Sequence, residues 1–205
     1  MCAHCGILIV HMNAGGHMKL LRSITHWLDY LVTPRIWAAS LVIFLMFMIV
    51  ILPHEAQRSA LATGSDSSPD TSLFYTPEDL YDMADTYGPE GRAYYISSRF
   101  SFDIIWPIAY LLFLTCSITL VFRNLGTALW IRLVYLLPLL GFCFDLLENS
   151  AASVVMFRYP DVSPVAAFLA PWFTLLKWVS IAASFAGLAI GTGVLIRKAL
   201  SNRSR

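Results

Sequence analysis

The chain has 205 residues, 58% of them hydrophobic and 13% charged, with a mean hydropathy of +0.65 and a net charge of +1. A charged share about half that of a soluble domain excludes a disordered chain, a nucleic-acid binder and an ordinary cytosolic enzyme, and leaves an integral membrane protein. The small net charge hides an asymmetry: eight of the thirteen acids lie between residues 55 and 90, while the basic residues gather near the ends.

Residues 1–17 contain Cys2, His4, Cys5, His11 and His17. That spacing suits zinc or thiol chemistry, but Gly6, Asn13, Gly15 and Gly16 and the lack of a second Cys pair favour a disordered extension, with Met18 as a natural start. Over residues 18–34, Leu20, Leu21, Ile24, Trp27, Leu28 and Leu31 share one helical face opposite Lys19, Arg22, Ser23, His26 and Asp29. This pattern predicts an amphipathic helix lying in the membrane interface. Thr33 and Pro34 end it and turn the chain into the bilayer.

Residues 35–198 form the predicted membrane domain. A spanning helix needs roughly 20 apolar residues, and four stretches qualify, at about 36–53, 103–122, 128–157 and 165–196. None alternates apolar with polar residues, so the class is all-α rather than a barrel. The first stretch begins too far into the chain, and lacks the small-residue site, for a cleaved secretory signal. Lys19, Arg22 and Arg35 precede the first span, Arg123 and Arg132 flank the turn between the second and third, and Arg197, Lys198, Arg203 and Arg205 follow the fourth. By the positive-inside rule both termini are cytoplasmic, with a large outer loop at 54–102, a small one near Asp161, and a basic tail at 199–205.

Within the large loop, residues 56–72 read as a polar tether centred on Gly64-Ser65-Asp66-Ser67-Ser68-Pro69-Asp70. Thr76 then makes a helix N-cap, with Pro77 at the first position and Glu78 and Asp79 in the first turn. Tyr75 and Leu80 are spaced for a hydrophobic staple, and Gly88 closes this short helix. Pro89 starts a second helix that is predicted to run unbroken into the second span, carrying Arg92, Tyr95, Arg99, Asp103, Trp106 and Tyr110 on one face.

The ionisable residues inside the spans are the functional signal. Each costs roughly 2.5 to 3.5 kcal/mol to insert unless it finds a partner or a wet cavity. Counting outward from the two turns, Asp145 and Lys177 fall at one depth, and Asp103 lies level with the neighbour of Glu148. With Arg99 they fit within about two helical turns, roughly 11 Å. Asp145, Glu148, Asn149 and Ala152 share a helix face. The pattern predicts an outer-leaflet polar pocket lined by Arg99, Asp103, Asp145, Glu148, Asn149 and Lys177, walled by Tyr95, Trp106 and Tyr110. Pro107, Pro138 and Pro171 add kinks, and Gly187, Gly191 and Gly193 allow close contact within the chain or between two copies.

Cys116 and Cys143 lie one in each of two spans, and the outer loops hold no cysteine, which argues against disulfide exchange. The spans contain no histidine, and no phosphate-binding loop, nucleophile elbow or dinucleotide fingerprint occurs. No cofactor and no metal are expected.

The residues Tyr87-Gly88-Pro89-Glu90-Gly91-Arg92, Asp103 with Pro107 and Tyr110, Asp145-x-x-Glu148-Asn149 and Tyr159-Pro160 together resemble a group of bacterial four-span membrane proteins with no assigned activity. The resemblance covers roughly residues 35–198 and implies a four-helix bundle in the inner membrane, without catalytic residues to carry over. A shorter likeness to the sterol-isomerase membrane fold, Tyr-x-x-x-Gly-Arg before an acid-bearing span, lacks the histidine and glutamate pattern of that fold.

Three functional readings follow from the pocket. One is binding of a lipid headgroup or small amphiphile. Another is an acid/base enzyme that uses Glu148 or Asp145 on a lipid-soluble substrate. The last is an assembly protein whose charges pair only internally. The expected partners are membrane lipid and a small amphiphile, with a homodimer or a periplasmic protein as further options, and no nucleic acid.

Overall fold

A computed structural model describes residues 26–69, 72–125 and 133–203; the cysteines and histidines of residues 1–17, the first part of the interfacial helix and Arg132 lie outside the described residues. Among the described residues the fold is all-helical, with four helices long and apolar enough to cross a membrane. The protein is a multi-pass membrane protein built as a helical bundle.

Residues 26–31 are helical, with Trp27, Tyr30 and Leu31 exposed. The chain then turns at Thr33, whose hydroxyl accepts from the Ile36 N–H at 3.3 Å, and Pro34 opens helix α1 (Pro34–Thr63). This helix is longer than its sequence suggests. Pro53 ought to end it, because a proline has no N–H to donate and its ring crowds the preceding turn. Instead the chain widens into a π-helical turn at Phe47–Ile51, which accommodates the proline, and the helix continues to Thr63. Nearly half of the expected tether is therefore helical; Ala56, Ala60, Leu61 and Ala62 favour that state. Gly64 stops it, at φ 68°, in the left-handed conformation that glycine adopts without strain.

Helix α2 (Pro77–Arg99) begins at the expected cap. The Thr76 hydroxyl accepts from the Asp79 N–H at 3.2 Å, and the Asp79 carboxylate accepts from the Thr76 N–H at 2.8 Å, a reciprocal capping box. Tyr75 and Leu80 are both buried beside it. Gly88, at φ 61° and ψ 177°, kinks α2 where the sequence predicts a break before Pro89. With Glu78, Asp79, Asp82, Asp85 and Glu90 along it, α2 is too charged for hydrocarbon and sits outside the spans, over one end of the bundle.

The expected continuous helix into the second span is interrupted. Phe100 and Ser101 leave helical geometry, Ser101 at φ −124° and ψ −80°, before α3 (Phe102–Phe122) starts. The Ser101 hydroxyl donates to the Ser97 carbonyl at 2.7 Å, the local side-chain bonding by which serine competes with the helical ladder.

Helix α4 runs over Leu137–Arg158, the expected start at 128 lying outside the described residues, and Pro138 falls in its first turn, where a missing N–H costs nothing. Helix α5 (Pro164–Arg203) is 40 residues long. It packs chiefly on α4, while α1 packs on α3. Two of the three glycines pack closely within the chain: a Cβ at Gly191 would lie 2.8 Å from Val121 and 2.9 Å from the Phe122 ring, and one at Gly187 3.0 Å from Val134.

Tyrosines fasten α2 to the bundle. The Tyr81 hydroxyl accepts from the Ser163 N–H at 2.6 Å, Tyr159 donates to Asp85 at 2.8 Å, and Tyr94 donates to Glu55 at 2.8 Å. Beneath them Tyr75, Leu80, Ala84, Tyr87 and Tyr95 form an apolar core with Ala152, Val155, Met156, Ala167 and Ala170. Gly91 permits this closeness to α1; a Cβ there would meet Ala62 O and Thr63 Cα at 3.1 Å.

Candidate functional site

Four helices, α2 to α5, bring the charges singled out in the sequence together. Lys177 on α5 points at α4, its Nζ lying 2.5 Å from Glu148 Oε2 and 3.5 Å from Asp145 Oδ1. The other Asp145 oxygen accepts from the Tyr110 hydroxyl of α3 at 3.1 Å. Arg99, at the end of α2, pairs with Asp103 at 2.9 Å across the break between α2 and α3, and its guanidinium lies 4.4 Å from the centre of the Tyr95 ring. Asn149 on α4 donates to the Asp103 backbone carbonyl at 3.3 Å, which joins the two ion pairs into one cluster. Arg99, Asp145, Glu148, Asn149 and Lys177 are each 5% exposed or less.

This burial matters energetically. Charges removed from water lose several kcal/mol of solvation apiece, and only well-made pairs return it. Each cation here holds at least one carboxylate, yet the cluster contains three carboxylates and two cations. Glu148 Oε1, Asn149 Oδ1 and Ser153 Oγ have no hydrogen-bond partner, although all three residues are buried on one face of α4. On the far side, the Tyr75 hydroxyl lies 3.4 Å from that of Thr174; burial first, and then the nearby Glu148 charge, push the Tyr75 phenol above its ordinary pKa.

A cavity of about 350 Å³ opens beside the cluster, between α1 on one side and α3, α4 and α5 on the other. Its size falls in the range of roughly 300 to 1,000 Å³ usual for small-molecule sites. Phe44, Met48 and Leu52 of α1 and Trp178, Ile181 and Phe185 of α5 make an apolar wall, while Asp103, Trp106, Tyr110, Asp145 and Lys177 line its other side. Met48, Trp178 and Phe185 of this wall are exposed. The π-helical turn carries Met48 into this wall.

A second, smaller recess of about 140 Å³ lies between the C-terminal part of α1 and α2. Its lining mixes Glu55, Ser59, Ser65, Asp66, Ser98 and Arg99 with the apolar Ala56, Ala60 and Phe102, and it shares Leu52 and Asp103 with the larger cavity. Asp103 thus stands between the two.

The structure divides the residues singled out in the sequence into three sets. Asp103, Trp106, Tyr110, Asp145 and Lys177 line the lateral cavity, and Arg99 faces the smaller recess. Tyr95, Glu148 and Asn149 lie behind them as a buried supporting layer. Arg92, expected on the same face, turns away: it donates to the Ala84 carbonyl at 2.7 Å and covers the Tyr159 ring at 4.9 Å.

Sequence reasoning missed the whole α1 wall, because an unbroken apolar run carries no sign of which residues face inward. The α5 wall was within reach: Ile181 and Phe185 follow Lys177 at steps of four and eight, along the same face. No group of three or more histidines, cysteines or acids able to hold a metal occurs among the described residues. No family model, curated protein or solved structure matches this chain.

Proposed function

We propose that this chain is a bacterial inner-membrane protein, with both termini cytoplasmic, whose lateral cavity binds a small amphiphile or lipid headgroup in the outer leaflet. The observation that carries the reading is a largely apolar cavity, with the exposed Met48, Trp178 and Phe185 in its wall, that also holds Asp103, Asp145 and Lys177. Apolar walls with a few convergent polar groups are the ordinary design of a small-molecule site. Here they would receive a molecule with one end of each kind.

The internal ion pairs would also serve a purely structural cluster, which has no need of the cavity beside it. An acid/base role for Glu148 is less well supported, since Glu148 lies outside the cavity lining and holds Lys177 instead. Asp145 is the carboxylate that reaches the cavity.

The test is native mass spectrometry of protein extracted in a mild neutral detergent. The parent chain should retain a small amphiphile or lipid, and Met48→Trp, which fills the cavity from its lipid-facing wall, should lose it while keeping its helical content. Retention of the same adduct by a folded Met48→Trp variant would falsify this assignment.

A further inference from the structure

We infer that the amphiphile taken by the lateral cavity is cationic: an alkyl chain ending in a primary or quaternary ammonium, held at Asp103 and Asp145. This rests on the proposed binding role of that cavity and specifies the chemistry of its ligand.

Charge is the first ground. Three carboxyl groups, Asp103, Asp145 and Glu148, face two basic groups, Arg99 and Lys177, so acids outnumber bases by one in the paired cluster. Both cations are already engaged, Lys177 by two acids and Arg99 by Asp103 and the Tyr95 ring. An anionic head would have to displace a carboxylate from one of them. A cationic head can share Asp103 and Asp145 with their present partners, since an ionised carboxylate has about four acceptor sites, and it balances the excess of acids.

The aromatic wall is the second ground. Phe44, Trp106, Tyr110 and Trp178 all line the cavity. Trp106 stacks on Phe44 at 5.7 Å between ring centres and meets Tyr110 edge-on at 5.6 Å. Ring faces beside carboxylates are the chemistry that recognises ammonium groups, and Trp178 already accepts one cation this way, with Lys177 Nζ 5.5 Å from its ring centre.

The approach is the third. The adjoining recess, which shares Asp103 with the cavity, adds Glu55 and Asp66 to its lining. The segment 54–102 as a whole carries eight acids against Arg58, Arg92 and Arg99. A field of that sign raises the concentration of cations over that of anions around this end of the protein.

The experiment titrates the full chain, in nanodiscs of zwitterionic lipid, with dodecyltrimethylammonium, dodecyl sulfate and dodecanol. Retained probe is counted by native mass spectrometry and thermal unfolding is followed in parallel. The ammonium should bind about tenfold more tightly than the alcohol, in keeping with carboxylate and cation–π contacts, and the sulfate more weakly than either. Asp145→Asn should erase the preference, as should Asp103→Asn if the first variant does not fold, while both still hold the alcohol. If sulfate or dodecanol binds the parent as well as the ammonium does, the cationic assignment is overturned and the cavity survives as a site. If no probe binds, or Met48→Trp binds all three unchanged, the cavity itself is not a ligand site.

Discussion

Lys177 of α5 lies 2.5 Å from Glu148 of α4, and neither side chain is more than 5% exposed. Breaking a buried pair leaves an uncompensated charge, which costs about 3 to 5 kcal/mol. Lys177→Met, which strands both Glu148 and Asp145, is therefore expected to lower stability by about that amount in thermal unfolding in detergent. Adding Glu148→Gln should recover part of the loss, since one of the two stranded charges is then removed. A strictly additive double mutant would mean that the two residues do not interact.

Gly191 and Gly193 differ sharply although they sit two residues apart on α5. A methyl group at Gly191 would press on Val121 and the Phe122 ring at 2.8 to 2.9 Å, whereas one at Gly193 meets nothing within 4 Å. Gly191→Ala should destabilise by about 1 to 3 kcal/mol through overpacking. Gly193→Ala should be neutral or stabilising by up to about 1 kcal/mol, because alanine is the better helix former. Thermal unfolding of the two single variants, measured side by side, decides the matter.

The cap of α2 should be sensitive to acid. Hydrogen bonds from the Thr76 N–H and hydroxyl hold the exposed Asp79 carboxyl below its ordinary pKa. A carboxyl with a lowered folded-state pKa contributes stability that is complete above its unfolded value, about 3.9 for aspartate, and is lost as the pH falls through the folded value. Hydrogen exchange of the first-turn amides should therefore be slower in the parent than in Asp79→Asn at pH 6, with the two converging below about pH 3. Parallel profiles at every pH would show that the charge of Asp79 does not support the cap.

Trp37 of α1 donates its indole N–H to the Ser117 hydroxyl of α3 at 3.0 Å, a polar cross-link between the two helices. Trp37→Phe should lower stability by about 0.5 to 1.5 kcal/mol, the usual net worth of one such bond. Ser117→Ala should cost a similar amount, and the two together little more than either alone.

Orientation can be read chemically. With the native cysteines replaced, a single cysteine at Ser67, beside α2, should react with a membrane-impermeant maleimide in intact cells. One at Ser201, near the end of α5, should react only after the membrane is opened. The reverse pattern would invert the topology.

Much of the fold is legible in the sequence because it depends on local rules. Hydrophobic length fixes the four spans, and Thr76, Pro77 and Asp79 announce the start of α2 by capping chemistry alone. Offsets of three, four and seven place Asp145, Glu148, Asn149 and Ala152 on one face, and equal distance from a turn puts Lys177 level with Asp145. The longer α1 was hidden because proline is read as a stop, and a π-helical turn that absorbs it leaves no signature in residue type. The break at Ser101 was hidden for a related reason: the Ser101 hydroxyl bonds back to the Ser97 carbonyl and interrupts a helix whose apolar pattern carries on.

Periodicity says which residues share a face, not which face meets which neighbour. That is why the sequence placed Glu148 and Asp145 together as pocket residues, while packing turned Asp145 toward the cavity and left Glu148 behind it against Lys177. The apolar wall from Phe44 to Leu52 depends wholly on how α1 leans on α3, since in a uniformly apolar helix every face is equally suited to lipid or to protein. The sequence by itself determined that charged groups share one depth in the bilayer. Only the tertiary structure decided which of them border an open space, because a cavity is set by the relative positions of helices that are distant along the chain.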